Sequence, residues 1–169
     1  MMHTNHAKFA VVAALVLAFA IAFVPSASAT TTTAQFQVTA TVANTCTISG
    51  ATLAFGAYSG ALVTGTSNLT VKCSNFALYS IALDKGQGSG GSFATRYMTN
   101  GTSTLGYQLC TASGCGTGTI WGDGSTGTST VAGTGTGANQ TIAVYGQIPA
   151  SENSISGNYS DTITATITY

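Results

Sequence analysis

Hydrophobic and polar residues alternate along most of this chain. Phe36, Val38, Ala40 and Val42 are separated by Gln37, Thr39 and Thr41, and the same beat returns in Ile163-Thr164-Ala165-Thr166-Ile167-Thr168-Tyr169. A two-residue period places one side of an extended strand against an apolar core and the other in water. Thr, Ser, Val and Ile dominate, and Gly- or Asn-rich turns separate the runs. That pattern predicts an all-β antiparallel sandwich with no helix after the N-terminal region. Strands are expected at 35–43, 45–48, 52–55, 67–73, 77–84, 103–111, 140–148 and 158–169, with shorter pieces near 93–98 and 119–121. Parity assigns the inward sets: Leu53 and Phe55; Leu69, Val71 and Cys73; Tyr79, Ile81 and Leu83; Leu105, Tyr107 and Leu109; Ile142, Val144 and Ile148; Ile163 and Ile167.

Two segments carry no such pattern. Residues 86–91 and 122–139 are Gly-, Ser- and Thr-rich and read as exposed loops. Both superficially echo phosphate-binding loops. A dinucleotide fingerprint needs a strand before it and a helix after it, and neither context exists here.

The N-terminus differs in kind. His3, His6 and Lys8 precede an unbroken apolar run from Phe9 to Val24, followed by Ala27-Ser28-Ala29. This reads as a signal peptide over residues 1–29, cleaved before Thr30, because the run is shorter than the about 20 residues of a bilayer-spanning helix. Export then sets the redox context. Cys46, Cys73, Cys110 and Cys115 form an even set in an exported chain, which predicts disulfides. Of the three connectivities, Cys46–Cys73 with Cys110–Cys115 is favoured, since Ser113-Gly114 lets the second pair close a hairpin. Zinc is disfavoured, because neither pair has CxxC spacing and both histidines leave with the signal.

The processed chain keeps Lys72, Lys85 and Arg96 against Asp84, Asp123, Glu152 and Asp161. So thin and balanced a set gives no electrostatic footprint for nucleic acid. It also leaves little repulsion between copies, which suits self-association. No catalytic residues emerge. No imidazole is left to shuttle a proton, Lys72 and Lys85 read as solvated, and the carboxylates fall at turns and strand ends, where Asp bonds nearby backbone. No cofactor or metal is implied. Trp121, Tyr97 and Tyr145 are the aromatics expected at the surface, where a carbohydrate could stack.

Several motifs occur in an order that resembles the spore coat protein U domain family, which includes pilins of archaic (Csu-type) chaperone–usher pili. They are Val42-Ala43-Asn44-Thr45-Cys46-Thr47-Ile48, Leu53-Ala54-Phe55-Gly56-Ala57-Tyr58, Val71-Lys72-Cys73 and Leu105-Gly106-Tyr107-Gln108-Leu109. Trp121-Gly122-Asp123-Gly124, Val144-Tyr145-Gly146-Gln147-Ile148-Pro149 and the ending from Gly157 to Tyr169 follow. The resemblance implies an incomplete immunoglobulin-like sandwich over 44–169, completed by a donor strand from another chain. It also implies a non-enzymatic structural subunit of a secreted surface fibre, serving adhesion or biofilm formation. The implied partners are a periplasmic chaperone, an outer-membrane usher and further pilus subunits. Residues 30–43 would be the donor strand, acting through Phe36, Val38, Ala40 and Val42. Ile163, Ala165, Ile167 and Tyr169 would form the C-terminal strand that faces the chaperone. The family's disulfide would correspond to Cys46–Cys73. A carbohydrate-binding adhesin module and a spore or cell coat component are the alternatives.

Overall fold

The computed structural model describes residues 26–116 and 118–169; the signal-peptide assignment for residues 1–25 lies outside them. Among the described residues there is no helix, and eight strands follow in order. These are β1 (Cys46–Gly50), β2 (Val63–Cys73), β3 (Leu78–Leu83), β4 (Arg96–Thr99), β5 (Thr104–Cys110), β6 (Val131–Thr134), β7 (Gln140–Ile148) and β8 (Ala165–Thr168). They form a five-stranded sheet ordered β1-β2-β7-β5-β4 and a three-stranded sheet ordered β6-β3-β8. Every named pairing is antiparallel. The chain divides into two units, Met1–Ala40 and Thr41–Tyr169; the described part of the first, 26–40, is exposed and without strand pairing.

The alternation seen in the sequence decides which side chains meet. Leu69, Val71 and Cys73 of β2 join Tyr79, Ile81 and Leu83 of β3 and Leu105, Tyr107 and Leu109 of β5 in one buried cluster, with Val144 and Ile148 of β7. Each buried aliphatic contributes about 1.5–3 kcal/mol, so this shared layer outweighs any single polar contact. Both expected disulfides are present. Cys46 and Cys73 lie opposite each other in the β1–β2 ladder. Cys110–Cys115 closes the turn after β5, where Thr111 N donates to Thr119 O at 2.8 Å. In the chain-entropy view the longer loop restrains the unfolded chain more, by about 3–4 against about 2 kcal/mol.

Several expected strands fail as strands, because an extended segment becomes one only where a ladder partner lies beside it. Residues 35–43 and 52–55 have no ladder partner, and of 158–169 only β8 is in a ladder, with an isolated bridge between Ser160 and Thr99. The piece near 119–121 is reduced to bridges from Ile120 to Cys110 and from Trp121 to Ser129. Conversely, the run 122–139 contains β6, which pairs with β3 through Val131↔Ile81 and Gly133↔Tyr79. Its small residues gave no alternation to read, because Gly133 lies under the Tyr79 ring, where a Cβ would collide.

Candidate functional site: an open apolar groove

A groove of about 1490 Å³ runs along the sandwich between two segments that lack strand partners. One wall is 51–58, the other 154–164, and Leu69, Val144 and Leu105 lie on its floor. The first wall leaves the β2 edge after Ala51, whose N–H still donates to Asn68 O at 3.3 Å. Beyond that point Leu53 and Phe55 lie against Gly65 and Gly146, which face each other in the β2–β7 ladder. A Cβ on Gly146 would sit 2.8 Å from the Phe55 ring and 3.0 Å from Leu53. The two glycines are therefore a bare spot that lets the 53–55 segment lie on the sheet. Tyr58 then ties this wall to the far end of β7, donating to Pro149 O at 2.8 Å and accepting from Glu152 N at 2.9 Å.

The second wall is pinned by its acidic residue. Tyr107 donates its hydroxyl proton to Asp161 Oδ2 at 2.6 Å, while Gln87 N and Thr162 N donate to Asp161 Oδ1. Asp84 Oδ1 accepts from Thr164 N at 3.0 Å, and Asp84 N donates to Thr164 O. Ser160 and Thr99 exchange backbone hydrogen bonds at 2.9 and 3.1 Å. The segment thus crosses from the five-stranded sheet to the three-stranded one, hydrogen-bonded to both. Burial, then the Asp161 hydrogen bond, push the Tyr107 phenol well above its ordinary range. A tyrosine whose folded pKa is raised contributes stability that is intact below the unfolded value and lost as pH climbs above it. Thermal stability should therefore fall as pH rises past about 10. In an ultraviolet titration one tyrosine should stay protonated until the fold opens, and Tyr107→Phe should remove that resistant group.

Behind the groove, Arg96 is fully buried. Its Nε donates to Asp84 O at 2.9 Å, one terminal nitrogen to Phe93 O at 3.1 Å and the other to Trp121 O at 2.6 Å. Trp121 Nε1 donates in turn to Ile81 O at 2.9 Å. Burial lowers the guanidinium pKa, opposed by the fields of Tyr107, Asp84 and Asp161. A group with so high an ordinary pKa stays charged, and here it ties both ends of the β3–β4 connection to the β5–β6 connection through three carbonyls.

The sequence reading is corrected at several points here. Trp121 is 0% exposed, not a surface aromatic, because its indole N–H is needed inside. Tyr97 and Tyr145 are half-buried on the outer face. Asp84 and Asp161, read as scattered, converge on one crossing segment, although every partner they have is a backbone N–H or the Tyr107 hydroxyl. That satisfies them as braces. Lys72 and Lys85 are exposed, as expected, with the Lys85 ammonium 5.1 Å from the Phe93 ring centre. Among the described residues no cluster of His, Cys, Asp and Glu could hold a metal ion.

The remaining candidate residues separate into two places. Phe36, Val38 and Val42 are 82–90% exposed, and Ala40 is exposed too. Ile163, Ala165 and Ile167 pack against the core, Ile163 and Ala165 on the groove wall, while Tyr169 is exposed. Arg96, Tyr107–Asp161 and the Gly65–Gly146 spot were missed. Arg96 had a usable signal: if Tyr97 points outward, alternation turns Arg96 in.

The spore coat protein U domain matches residues 32–166. Protein U of Myxococcus xanthus is 35% identical over 183 aligned residues, covering 98% of this chain and 99% of that protein. Among solved structures, the fold is similar to a chain in the CsuC–CsuE chaperone–tip adhesion subunit pre-assembly complex from archaic chaperone–usher Csu pili of Acinetobacter baumannii. That likeness has a TM-score of 0.52 at 21% identity, over 76% of this chain and 40% of that one. At such identity it speaks for the fold alone, and this chain spans less than half the length of that neighbour. The match across both sheets and the near-complete alignment with Protein U agree: the chain belongs to the spore coat protein U domain family.

Proposed function

We propose that this protein is a structural subunit of an exported surface fibre, joined to its neighbours by donor-strand exchange. The observation that carries the reading is the open groove, whose two walls have strand-like sequences and no strand partner. At about 1490 Å³ it exceeds the roughly 300–1,000 Å³ of ordinary small-molecule sites. Its length and apolar floor suit an extended segment that adds backbone hydrogen bonds and alternate side chains, which is β-strand addition. Residues 30–43 supply such a segment: Phe36, Val38, Ala40 and Val42 share one side, and burying the larger three contributes about 1.5–3 kcal/mol each. In this reading the C-terminal segment around β8, at an edge of its sheet, offers Ile163, Ala165, Ile167 and Tyr169 first to a periplasmic chaperone. An outer-membrane usher then exchanges the chaperone for the next subunit. An unfilled groove with free edges is an aggregation hazard, which is the physical need for a chaperone. Adhesion or biofilm formation is the service a fibre of this kind would perform. The lectin-like alternative loses its strongest aromatic with the burial of Trp121.

The reading is tested by filling the groove in cis. A chain starting at Asn44, with Ala34–Ala43 repeated after Tyr169 through a short Gly-rich linker, should be monomeric without a chaperone. It should melt far above the same chain lacking the repeat. Equal melting temperatures would remove the donor role from 30–43.

A further inference from the structure

The end of the domain from which the N-terminal arm departs carries an apolar patch that the fold leaves uncovered. Thr45 N donates to Ser74 Oγ at 3.0 Å and Ser74 N to Thr45 O at 2.8 Å, so the chain leaves the sandwich beside the turn after β2. Phe76 stands on that turn with φ 62°, its N–H donating to Gly135 O at 2.8 Å. A left-handed conformation is uncommon for a bulky aromatic, and Gly or Asn would occupy it more cheaply. Leu78 points outward because Tyr79 points in; Thr168 pairs with Ser80, so Tyr169 reaches the same end but beside Tyr79, on the opposite face of the sheet from Leu78. Phe76, Leu78 and Tyr169 are 81%, 73% and 56% exposed. No charged side chain occurs from Cys73 to Leu83 or from Thr162 to Tyr169, so covering this end buries no charged side chain of those segments.

We propose that Phe76 and Leu78 dock onto the second copy of this chain whose groove receives the arm, fixing the angle between successive subunits. This rests on the donor-strand reading above, and the length of the tether selects the occupant. Val42 is the last donor side chain, and the domain is anchored from Thr45 and Cys46 onward. Four residues span at most about 14 Å. A copy that encloses Val42 therefore presents its surface within that distance of the arm's exit, where the patch lies. Burying apolar surface there opposes free swivelling about the tether.

The test uses fibres assembled from the full chain with its chaperone and usher. A photo-reactive p-benzoylphenylalanine in place of Phe76 should cross-link subunits in pairs that survive boiling, whereas the same probe at Thr66, on the outer face of β2, should not. Phe76→Gly combined with Leu78→Ser should keep the heat-resistant ladder of polymers on a denaturing gel and lose the preferred inter-subunit angle in electron micrographs. Glycine suits the positive φ, so the domain should remain folded. A ladder without cross-linking at Phe76, equal cross-linking at Thr66, or an unchanged angle in the double variant overturns the docking contact while leaving the donor strand standing. Absence of any ladder from the unaltered chain overturns the donor-strand reading, and the docking contact with it.

Discussion

Val38→Asp chains should fold and bind their chaperone yet form no heat-resistant ladder, while Thr39→Asp chains, altered one residue along, should assemble nearly normally. The contrast follows from strand parity. In the proposed fibre Val38 enters the neighbour's groove with Phe36, Ala40 and Val42, and Thr39 faces water. The groove floor near the donor is apolar, built from residues such as Leu69 and Val144. A carboxylate carried into it loses its hydration without gaining an assigned partner, which costs several kcal/mol or forces protonation. Val38 is exposed and outside the core cluster of its own chain, so the subunit's fold should not register the change. The ladder reports exchange, and the melting temperature of the chaperone-bound subunit reports folding. If both variants polymerise alike, or if Val38→Asp unfolds the subunit, residues 36–42 are not the donor.

Arg96→Ala should be the most damaging single change inside the sandwich, lowering stability by about 3–5 kcal/mol. The guanidinium donates to the carbonyls of Asp84, Phe93 and Trp121. Alanine leaves those acceptors buried or half-buried without a donor, at about 1–3 kcal/mol for each that water cannot reach, besides opening a cavity. Arg96→Lys should recover only a minority of the loss. An ammonium on a flexible stem is a point donor and cannot reproduce a planar fork that reaches three diverging carbonyls. Denaturant titration of the groove-filled, chaperone-free chain would measure both variants. A loss under about 1 kcal/mol for Arg96→Ala would mean that the two loops are held together by packing alone.

Much of the architecture was legible in the sequence because burial in a sandwich follows a period of two. The inward sets of β2, β3 and β5 match the buried cluster residue for residue, and of the three connectivities an even cysteine count allows, the favoured one is present. The misses share one cause. Alternation says that a segment is extended and which side is greasy, but nothing about what lies beside it. Residues 52–55 have a strand sequence and no ladder partner, 158–164 only an isolated bridge at Ser160, and only the assembled sheets reveal that they line a groove. Trp121 and Arg96 sit among glycines and threonines in sequence. Their burial is settled largely by distant neighbours, Ile81 O for the indole and the carbonyls of Asp84 and Trp121, with nearby Phe93, for the guanidinium. Gly65 and Gly146 look like breaks in two strands until the β2–β7 register sets them face to face beneath Leu53 and Phe55. By itself the sequence determined the all-β class, the core sets, the cysteine pairing and a polar-backed apolar arm. Tertiary structure alone decided where the sandwich is open and what braces its walls. Those are properties of pairs of segments far apart in the chain, and a local pattern carries no information about a distant partner.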